Sequence, residues 1–494
     1  MNKNLVLDVE ENPKRIRDWL LFAIQHILAM LVACITVPLI TGLPIGPTLM
    51  SAGLGTLIYI FTTNRKSPVF LSSSFAYLAP MSSALGFGVA TGGNKDNYAA
   101  VMLGMVIVGL IYVIIALVIK KTGTGWLNRL LPPVVIGPII MVIGLSLAGS
   151  AISNVTAGTA AISEYAGTTP WQYTFISIVV ALFACFVTAI AATSKKKMIS
   201  LIPFVIGMVS AYVLALVFTL LGKALDVNAL KVLDFSAFKD NNWSSIKGWT
   251  TTDFLFVKVF KQDAKFNLSV IGEVCLAFIP VALVTVCEHI GDHKNLGNII
   301  DRDLLNDEPG LTRTLIGDGL ATAVSGCICG AANTTYGENV AVIGVSKIAS
   351  VSVIILASII TIFLGLFKPL TILLSTVPAC ITGGVSLILY GFIAASGIKM
   401  LIKEKVDFSI TKNIVVASVI VVTGIGGLVL GFGGNAASYK ISISGTAIAM
   451  ILGIIFNLIL PNQEATELAV ETAEVAEETT QDNLEKTEED KVEE

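Results

Sequence analysis

Apolar residues form long runs along this chain, and short polar segments separate them. Most runs extend over roughly 17–25 residues, the length that an α-helix needs to cross the hydrocarbon layer of a membrane. The pattern therefore predicts an all-α polytopic membrane protein with about fourteen spans. Their expected positions are 18–41, 46–62, 68–90, 99–119, 130–150, 171–192, 199–222, 268–291, 311–331, 333–348, 350–374, 378–400, 412–431 and 442–460.

The second half of the chain repeats features of the first half. Residues 73–77 in the third span, Ser-Ser-Phe-Ala-Tyr, resemble residues 334–338 in the tenth, which begin 261 positions later. The same offset carries His26 to within one residue of Glu288. These matches predict two repeats of seven spans each. Because seven is odd, the second repeat is inverted relative to the first, as in alternating-access transporters.

Each repeat contains one short segment with a poor helical pattern. In the tenth span it is residues 333–339, Asn-Thr-Thr-Tyr-Gly-Glu-Asn, and in the third it is the serine pair before Phe75, closely followed by Pro80. Non-helical backbone at membrane depth needs internal partners, because each unpaired N–H or C=O group costs several kcal/mol in hydrocarbon. We therefore expect two short antiparallel strands in the broken spans 3 and 10, with half-helix N-termini directed into the gap between them.

Composition agrees with the membrane class and locates the charge. Hydrophobic residues make up 54% and charged residues 14% of the 494 residues, and the mean hydropathy is +0.81, which excludes an ordinary soluble globule. The net charge is −3, but residues 462–494 contain 13 Asp and Glu against 2 Lys, so the rest of the chain is basic. We expect this tail to be disordered and solvating, with partner binding as the alternative.

Lysine and arginine orient the predicted bundle, because they are enriched in the cytoplasmic connections of membrane proteins. They group at the even-numbered connections, which predicts that both termini are cytoplasmic; the lysine-rich seventh connection is the exception, but loops of its length cross the membrane regardless of charge. The residues concerned are Lys14, Arg15, Arg17, Arg65, Lys66, Lys120, Lys121, Arg129, Lys195, Lys196, Lys197, Lys294, Arg302, Arg313, Lys399, Lys403 and Lys405.

Carboxylates inside predicted spans are the main candidates for a functional site. One is Glu338 in the tenth span, and two more, Glu288 and Asp292, stand four residues apart at the end of the eighth span, so that they share a helix face about 6 Å apart. Two carboxylates that close in a poorly solvated site cannot both remain ionised, so one is expected to hold a proton. The alternative for Asp292 and for the neighbouring His293 is a solvated helix end.

Other polar residues receive structural interpretations. Asp318 is expected to make an N-terminal or inter-helix contact rather than a ligand contact, and Glu273 to be solvated near the outer end of the eighth span. Gln25 and His26 can reach the pocket or simply pack. The seven cysteines lie in apolar runs without metal or redox spacing, which indicates free buried thiols.

Five motifs together resemble the bacterial uracil permeases of the nucleobase–ascorbate transporter family, also called nucleobase:cation symporters. The similarity extends to about Pro461, and residues 333–339 are specific for the pyrimidine branch. The motifs are Gln25-His26, Ser73-Ser74-Phe75-Ala76, Glu288-His289-Ile290-Gly291, residues 333–339 and Gly383-Gly384-Val385-Ser386.

The resemblance implies a domain organisation. It implies a core domain of spans 1–4 and 8–11, residues 18–120 and 268–374, and a gate domain of spans 5–7 and 12–14, residues 121–222 and 375–461. A cytoplasmic N-terminus of residues 1–17, an extracellular loop of residues 223–267 and the tail of residues 462–494 complete the chain. It further implies a proton symporter in the plasma membrane that is commonly a homodimer, here through the gate domain.

The resemblance also implies which residues bind the base. Glu288 and Glu338 bind it, and the backbone N–H groups of Phe75 and Gly337 meet its carbonyls, with Tyr336 beside them. Two further groups of residues are expected to assist. Glu288, Asp292 and His289 are assigned to proton coupling, and Asn339, Ser74 and His26 to support of the site.

The chain departs from the family pattern at two positions. Uracil permeases often carry histidine where this chain has Asp292, which leaves the proton route open. The glycine that usually follows two residues after the motif asparagine is Ala341 here, which only tightens packing.

Uracil is a suitable ligand for this set of groups. It is neutral and planar with two N–H donors and two carbonyl acceptors, so that carboxylates can accept from the donors and backbone N–H groups can donate to the carbonyls. No cofactor, metal ion or nucleic acid is expected, and the proton gradient supplies the energy. Sodium coupling and a purine substrate such as xanthine remain alternatives.

A remote alternative from another class is an intramembrane metalloenzyme. Residues 289–293, His-Ile-Gly-Asp-His, resemble an inverted zinc-protease motif with Asp in place of Glu. Gly291 weakens the helix that such a motif needs, and the chain has only one further histidine, His26.

Overall fold

A computed structural model describes residues 5–85, 97–123, 125–159, 170–200, 202–236, 238, 268–435 and 438–461 of the chain. The apolar runs form helices because an α-helix satisfies its own backbone groups in hydrocarbon. The elements of the first half are α1 Ile16–Thr41, α2 Ile45–Thr62, β1 Leu71–Ser73, α3 Leu78–Ala84, α4 Tyr98–Thr122, α5 Gly125–Leu130, α6 Pro133–Ser146, α7 Ala148–Val155, α8 Trp171–Ala192, α9 Lys197–Ser200, α10 Pro203–Ala224 and a 3-10 turn at Asn228–Leu230.

The second half contains α11 Leu268–Ile300, α12 Gly310–Cys327, β2 Asn333–Thr335, α13 Gly337–Ser346, α14 Val351–Leu366, α15 Lys368–Ser375, α16 Ala379–Lys403, α17 Thr411–Ile425, β3 Leu430–Asn435, β4 Ser438–Ile443 and α18 Gly445–Ile459. Much of the predicted extracellular loop and the acidic tail of residues 462–494 lie outside the described residues.

The chain is a multi-pass membrane protein. Eight helices of the described residues are long and apolar enough to cross a membrane, and the bent pair α14–α15 brings the number to nine. A helix lies within each of the fourteen predicted spans, but α17 and α18 have only 15 residues each, and α3 and α13 are shorter still. The count of fourteen spans and the inverted repeat therefore stay predictions.

Two details of the predicted elements were wrong. The eleventh span bends by 78° between α14 and α15, where Pro369 in the first turn of α15 cannot continue the preceding helix. The thirteenth span ends at Ile425, and the antiparallel pair β3–β4 follows it, so the fold contains a second small sheet that the all-α prediction lacked. The predicted fifth span, by contrast, is one candidate span, Pro133–Val155, made up of α6 and α7.

The predicted pair of strands is confirmed. β1 pairs with β2 in antiparallel register, with Leu71 opposite Thr335 and Ser73 opposite Asn333. The N–H of Ser74 extends the ladder by donating to the carbonyl of Ala332 at 2.8 Å. The residues of both strands are buried, so the broken spans satisfy each other's backbone inside the protein.

The helices pack principally in two sets. In the first set, α4 and α2 both pack against α12, and α2 also packs against α14. The contact of α4 with α12 is close because glycines face each other: a Cβ added at Gly319 would lie 2.7 Å from the carbonyl oxygen of Gly109. In the second set, α16 packs against α6, α7 and α8, and α8 packs against α10.

The N-terminal segment is more ordered than a free polar tail. It lies along the connection between α13 and α14, where the N–H of Val6 donates to the carbonyl of Lys347 at 2.7 Å and the N–H of Val351 donates to the carbonyl of Val9 at 3.0 Å. Asp8 also forms an ion pair with Arg302 at 3.1 Å. The segment therefore ties the end of α13 to the connection that follows α11.

Candidate functional site

The strand pair β1–β2 brings the two halves of the candidate site together. Phe75 lies two residues after the end of β1, and α13 begins two residues after the end of β2, at Gly337. Tyr336 is the N-cap of α13; its backbone is extended and its side chain forms no capping bond. The first N–H groups of α13 therefore make this helix end a positive pole beside Glu338.

The carboxylates of α11 lie next to this helix end. Asp292 accepts a hydrogen bond through Oδ2 from the Thr335 hydroxyl at 2.7 Å, which joins α11 to β2. Glu288, one turn earlier, lies within electrostatic range of both Asp292 and Glu338. Its Oε2 atom is buried and has no hydrogen-bond partner among the described residues. An unpartnered acceptor of this kind is what a site leaves for the N–H group of a ligand.

Aromatic and polar side chains complete the surroundings. The rings of Phe75 and Tyr390 meet edge to face with their centroids 5.6 Å apart. The Tyr336 hydroxyl and the Ser74 hydroxyl are buried without hydrogen-bond partners among the described residues. The Asn339 amide donates to the carbonyl of His26 at 3.3 Å, which holds α13 against α1.

Two separate cavities reach this region. One of about 280 Å³ is bordered by Phe75 and by the C-terminal ends of α6 and α17. The other, of about 90 Å³, is bordered by Glu338 and by the N-terminal end of α10. Phe75 lies two residues after β1 and Glu338 three residues after β2, so each cavity borders one of the two broken spans.

The histidines of α11 have different neighbours from the carboxylates. His289 Nδ1 lies 2.8 Å from Asp318 Oδ2 on α12, and both side chains are fully buried. His293 Nδ1 donates to the carbonyl of His289 at 2.7 Å. In a neutral ring Nε2 is then an acceptor, so the Tyr59 hydroxyl, 2.6 Å away, donates to it. Tyr59 in turn lies 2.8 Å from the hydroxyl of Ser67.

The structure decides several of the sequence predictions. The contact of Asp318 with a neighbouring helix is confirmed, whereas Glu273 is 7% exposed rather than solvated. His293 is fully buried, so its interpretation as a solvated helix end was wrong, because α2 and α12 cover this part of α11. Asp292 is not simply a solvated helix end either, since it is bonded to Thr335.

Sequence reasoning missed Tyr390 and Tyr59. Tyr390 lies on α16 one turn after Ser386 and seven residues after Gly383, so the helical spacing from the glycine motif places it on the same face. Tyr59 had no comparable signal, because its partner His293 is 234 residues away in the chain.

Comparison with known proteins identifies the family. A family model described as "Permease family" matches residues 17–431. The chain belongs to this family, the nucleobase–ascorbate transporters. The uracil permease of Bacillus caldolyticus is 38% identical over 463 residues, which cover 94% of this chain and 96% of that protein. The uracil permease of Escherichia coli K12 is 32% identical over 453 residues, or 92% and 93% of the two chains.

Solved structures of other transporters share the fold of this permease. The transmembrane domain of the cyanobacterial bicarbonate transporter BicA aligns with a TM-score of 0.57 at 12% identity and covers 91% of this chain and 99% of that one. The structure of SLC26A9 aligns with a TM-score of 0.57 at 13% identity over 90% of this chain and 66% of that one. At such identities the likeness concerns the fold alone.

Proposed function

We propose that this permease takes up uracil by proton symport. The observation that carries the proposal is the buried Oε2 of Glu288, which has no hydrogen-bond partner among the described residues and lies near Glu338 at the start of a half-helix. Relatives named uracil permease align over nearly the whole chain and supply the substrate. The chemistry of the site and the identity of the relatives therefore point to the same ligand.

The groups of the site match those of uracil. The base presents two N–H donors and two carbonyl acceptors in one plane. Glu288 and Glu338 offer acceptors for the N–H groups, and the N–H groups of Phe75 and Gly337 offer donors for the carbonyls, so a bound base keeps no buried polar atom unpaired. Tyr336, whose buried hydroxyl has no hydrogen-bond partner among the described residues, adjoins Gly337.

The number of carboxylates supports proton coupling. Asp292 lies one helical turn from Glu288, and Glu338 lies in the first turn of the half-helix beside them, so three carboxylates share one site and are not expected to be ionised together. Uracil is neutral and gains nothing directly from the membrane potential, whereas one accompanying proton gains about 2.3 kcal/mol per 100 mV. Asp292, one turn from Glu288, is placed to accept the proton that Glu288 releases.

The helix packing supports alternating access. The helices of the predicted core domain pack mainly among themselves, as do those of the predicted gate domain. Phe75 and Glu338 of the core border separate cavities whose other walls come partly from gate helices. Movement of the core against the gate would open one cavity and close the other, with the base held by the broken spans.

The remaining parts of the proposal concern assembly and orientation. We place the protein in the plasma membrane with both termini in the cytoplasm, on the distribution of lysine and arginine. A homodimer through the gate domain belongs to the same proposal.

The histidine pair does not favour a metalloenzyme. Among the described residues no group of three or more potential ligands is arranged around a metal position. The rings of His289 and His293 are stacked with centroids 4.0 Å apart, and their bonded nitrogens are directed to Asp318, Tyr59 and a backbone carbonyl.

Uptake of labelled uracil into proteoliposomes tests the proposal. We expect an inward proton gradient without sodium to drive accumulation, and a protonophore to abolish it. If only a sodium gradient drives accumulation, the transporter is coupled to sodium and the proposed proton coupling is wrong. If xanthine competes with the labelled base and unlabelled uracil does not, the substrate is a purine such as xanthine and not uracil.

A further inference from the structure

A separate cavity of about 430 Å³ lies away from the candidate site, where α5, α6, α17 and α18 meet. Its walls include two cationic side chains, Arg129 and Lys412, and two amide side chains, Asn413 and Asn457. This end of the bundle also contains Lys403, so it belongs to the predicted cytoplasmic side. The function proposed above assigns no role to this cavity.

The two amides hold the segments that carry the cations. Asn457 on α18 donates through Nδ2 to the carbonyl of Arg129 at 3.2 Å, which fixes the end of α5 against α18. Asn413 donates through Nδ2 to the carbonyl of Asp407 at 2.7 Å, which fixes the start of α17 next to Lys412. Arg129 forms no ion pair with a carboxylate of the described part of the chain. Its charge is therefore available to an external anion.

Two helix N-termini add positive potential to the same cavity. Both α6, with Pro132 and Val134 in the cavity wall, and α17, with Lys412 and Asn413, begin there. Neither of the N-cap residues, Pro132 and Ile410, caps its helix with a side chain. The positive ends of the two helix dipoles therefore reinforce the two side-chain charges.

Exposed apolar side chains stand in the cavity wall and next to it in the sequence. Leu458 in the wall is 49% exposed, Ile459 after it is 75% exposed, and Ile414, which follows the wall residue Asn413 on α17, is 45% exposed. Side chains of this kind on a membrane helix contact acyl chains. A cationic cavity thus adjoins an apolar surface at the membrane boundary. An anionic phospholipid is complementary to both, because its head group is negatively charged and its acyl chains are apolar.

We propose that this cavity binds the phosphate head group of an anionic phospholipid, with Arg129 and Lys412 on the phosphate and the acyl chains along α17 and α18. Arginine suits this role because its planar fork of donors matches phosphate oxygens, and lysine contributes a point charge. Basic pockets between membrane helices on the cytoplasmic side bind anionic head groups in the same way.

Native mass spectrometry of the full chain in a neutral detergent tests the proposal. The protein is titrated with phosphatidylglycerol or with phosphatidylcholine, and the bound lipid is counted. We expect wild type to retain phosphatidylglycerol at least about tenfold more strongly than phosphatidylcholine, and the double variant Arg129→Gln/Lys412→Gln to lose that preference, since about 1.4 kcal/mol corresponds to a tenfold change. Equal retention by wild type and double variant overturns the proposal.

Two control variants separate the cavity from general surface charge. Lys120→Gln/Lys121→Gln also removes two positive charges, but from the end of α4, outside the cavity wall. This variant is expected to retain phosphatidylglycerol as wild type does. Arg129→Lys/Lys412→Arg keeps the charges and is expected to restore most of the retention. Restored retention in this variant would show that the lipid retention lost in the glutamine variant depends on the two charges. Equal losses in both glutamine double variants overturn a specific site.

Two further occupants are distinguished in the same preparation. Inorganic phosphate should displace the lipid only weakly, and displacement at micromolar concentration would overturn the lipid in favour of free phosphate. Carbodiimide cross-linking of Lys412 to glutamates of residues 462–494, without lipid retention, would overturn the lipid proposal and indicate that the acidic tail occupies the cavity. Loss of a dimer in the double variant with unchanged lipid retention would identify the surface as a contact between copies.

Discussion

Two neighbouring faces of α11 carry similar side chains and differ in their partners. On one face Glu288 has a buried carboxylate oxygen without a hydrogen-bond partner among the described residues, and Asp292 accepts a hydrogen bond from Thr335 of the broken tenth span. On the other face His289 Nδ1 is bonded to Asp318 on α12 and His293 to Tyr59 on α2, while His289 Nε2 and Asp318 Oδ1 have no hydrogen-bond partner among the described residues. The first face is the one that we propose for the ligand, and the second joins α11 to α12 and α2.

The difference shows that burial of an ionisable group does not by itself indicate function. A buried polar side chain that makes at least one hydrogen bond within the protein contributes to structure, whereas a carboxylate oxygen left without a partner costs free energy that the N–H group of a ligand can recover. The two faces should therefore respond differently to substitution: the carboxylate face through binding and coupling, and the histidine face through stability.

The largest effect is expected at Glu338. Glu338→Gln keeps the shape of the side chain but removes the charge and replaces one acceptor oxygen by a donor. A ligand N–H then loses a charge-assisted bond of about 1.5–3 kcal/mol and meets a donor instead. We expect calorimetric titration to detect no uracil binding, while thermal unfolding is unchanged. Affinity near that of wild type would remove Glu338 from the site.

Gly337 is expected to tolerate alanine but not valine. A Cβ at this position would lie 3.4 Å from Asp292 Oδ1, an ordinary contact, and finds no other atom within 4 Å. The branched side chain of Gly337→Val extends further into the space where backbone and ligand meet. Uptake assays should show transport by Gly337→Ala and none by Gly337→Val. Wild-type rates for the valine variant would contradict the placement of the ligand.

Substitution of Asp292 should abolish proton coupling without abolishing uracil binding. Asp292→Asn can still accept from Thr335, so the fold and the binding of uracil are kept, but the side chain no longer takes up a proton. We expect counterflow exchange to continue, since it requires no net proton release, and proton-driven accumulation to stop. Asp292→His should restore part of the accumulation. If Asp292→Asn accumulates uracil as wild type does, coupling belongs to Glu288 alone.

Tyr59→Phe probes the histidine face and should have the smallest effect on transport. The substitution removes the hydroxyl that joins Ser67 to His293 and leaves His293 Nε2 without its partner. We expect a loss of about 1–3 kcal/mol in stability, seen as a lower melting temperature, with unchanged affinity for uracil. Tyr212→Phe, which removes a hydroxyl bond to Thr376 on the other set of helices, is the matched control. A large loss of uracil affinity in Tyr59→Phe but not in Tyr212→Phe would show that the histidine face also contributes to ligand binding.

Local pattern in the sequence was sufficient for much of this molecule. The apolar runs located the helices because backbone in hydrocarbon has few alternatives to an α-helix. The hydroxyl pairs before Phe75 and Tyr336 indicated the strands β1 and β2, and the i to i+4 spacing of Glu288 and Asp292 placed both carboxylates on one face. Each of these inferences depends on neighbours within about one helical turn or one strand, where side-chain direction follows from backbone geometry.

Only the tertiary structure decided which polar groups have partners. Asp318 and His289 are 29 residues apart in the chain and Tyr59 and His293 are 234 apart, so nothing in the local pattern relates them. The same holds for Tyr390 against Phe75 and for the N-terminal segment beside Lys347. Whether a buried charge is paired depends on which helices meet and at what depth, and that is set by the packing of the whole bundle.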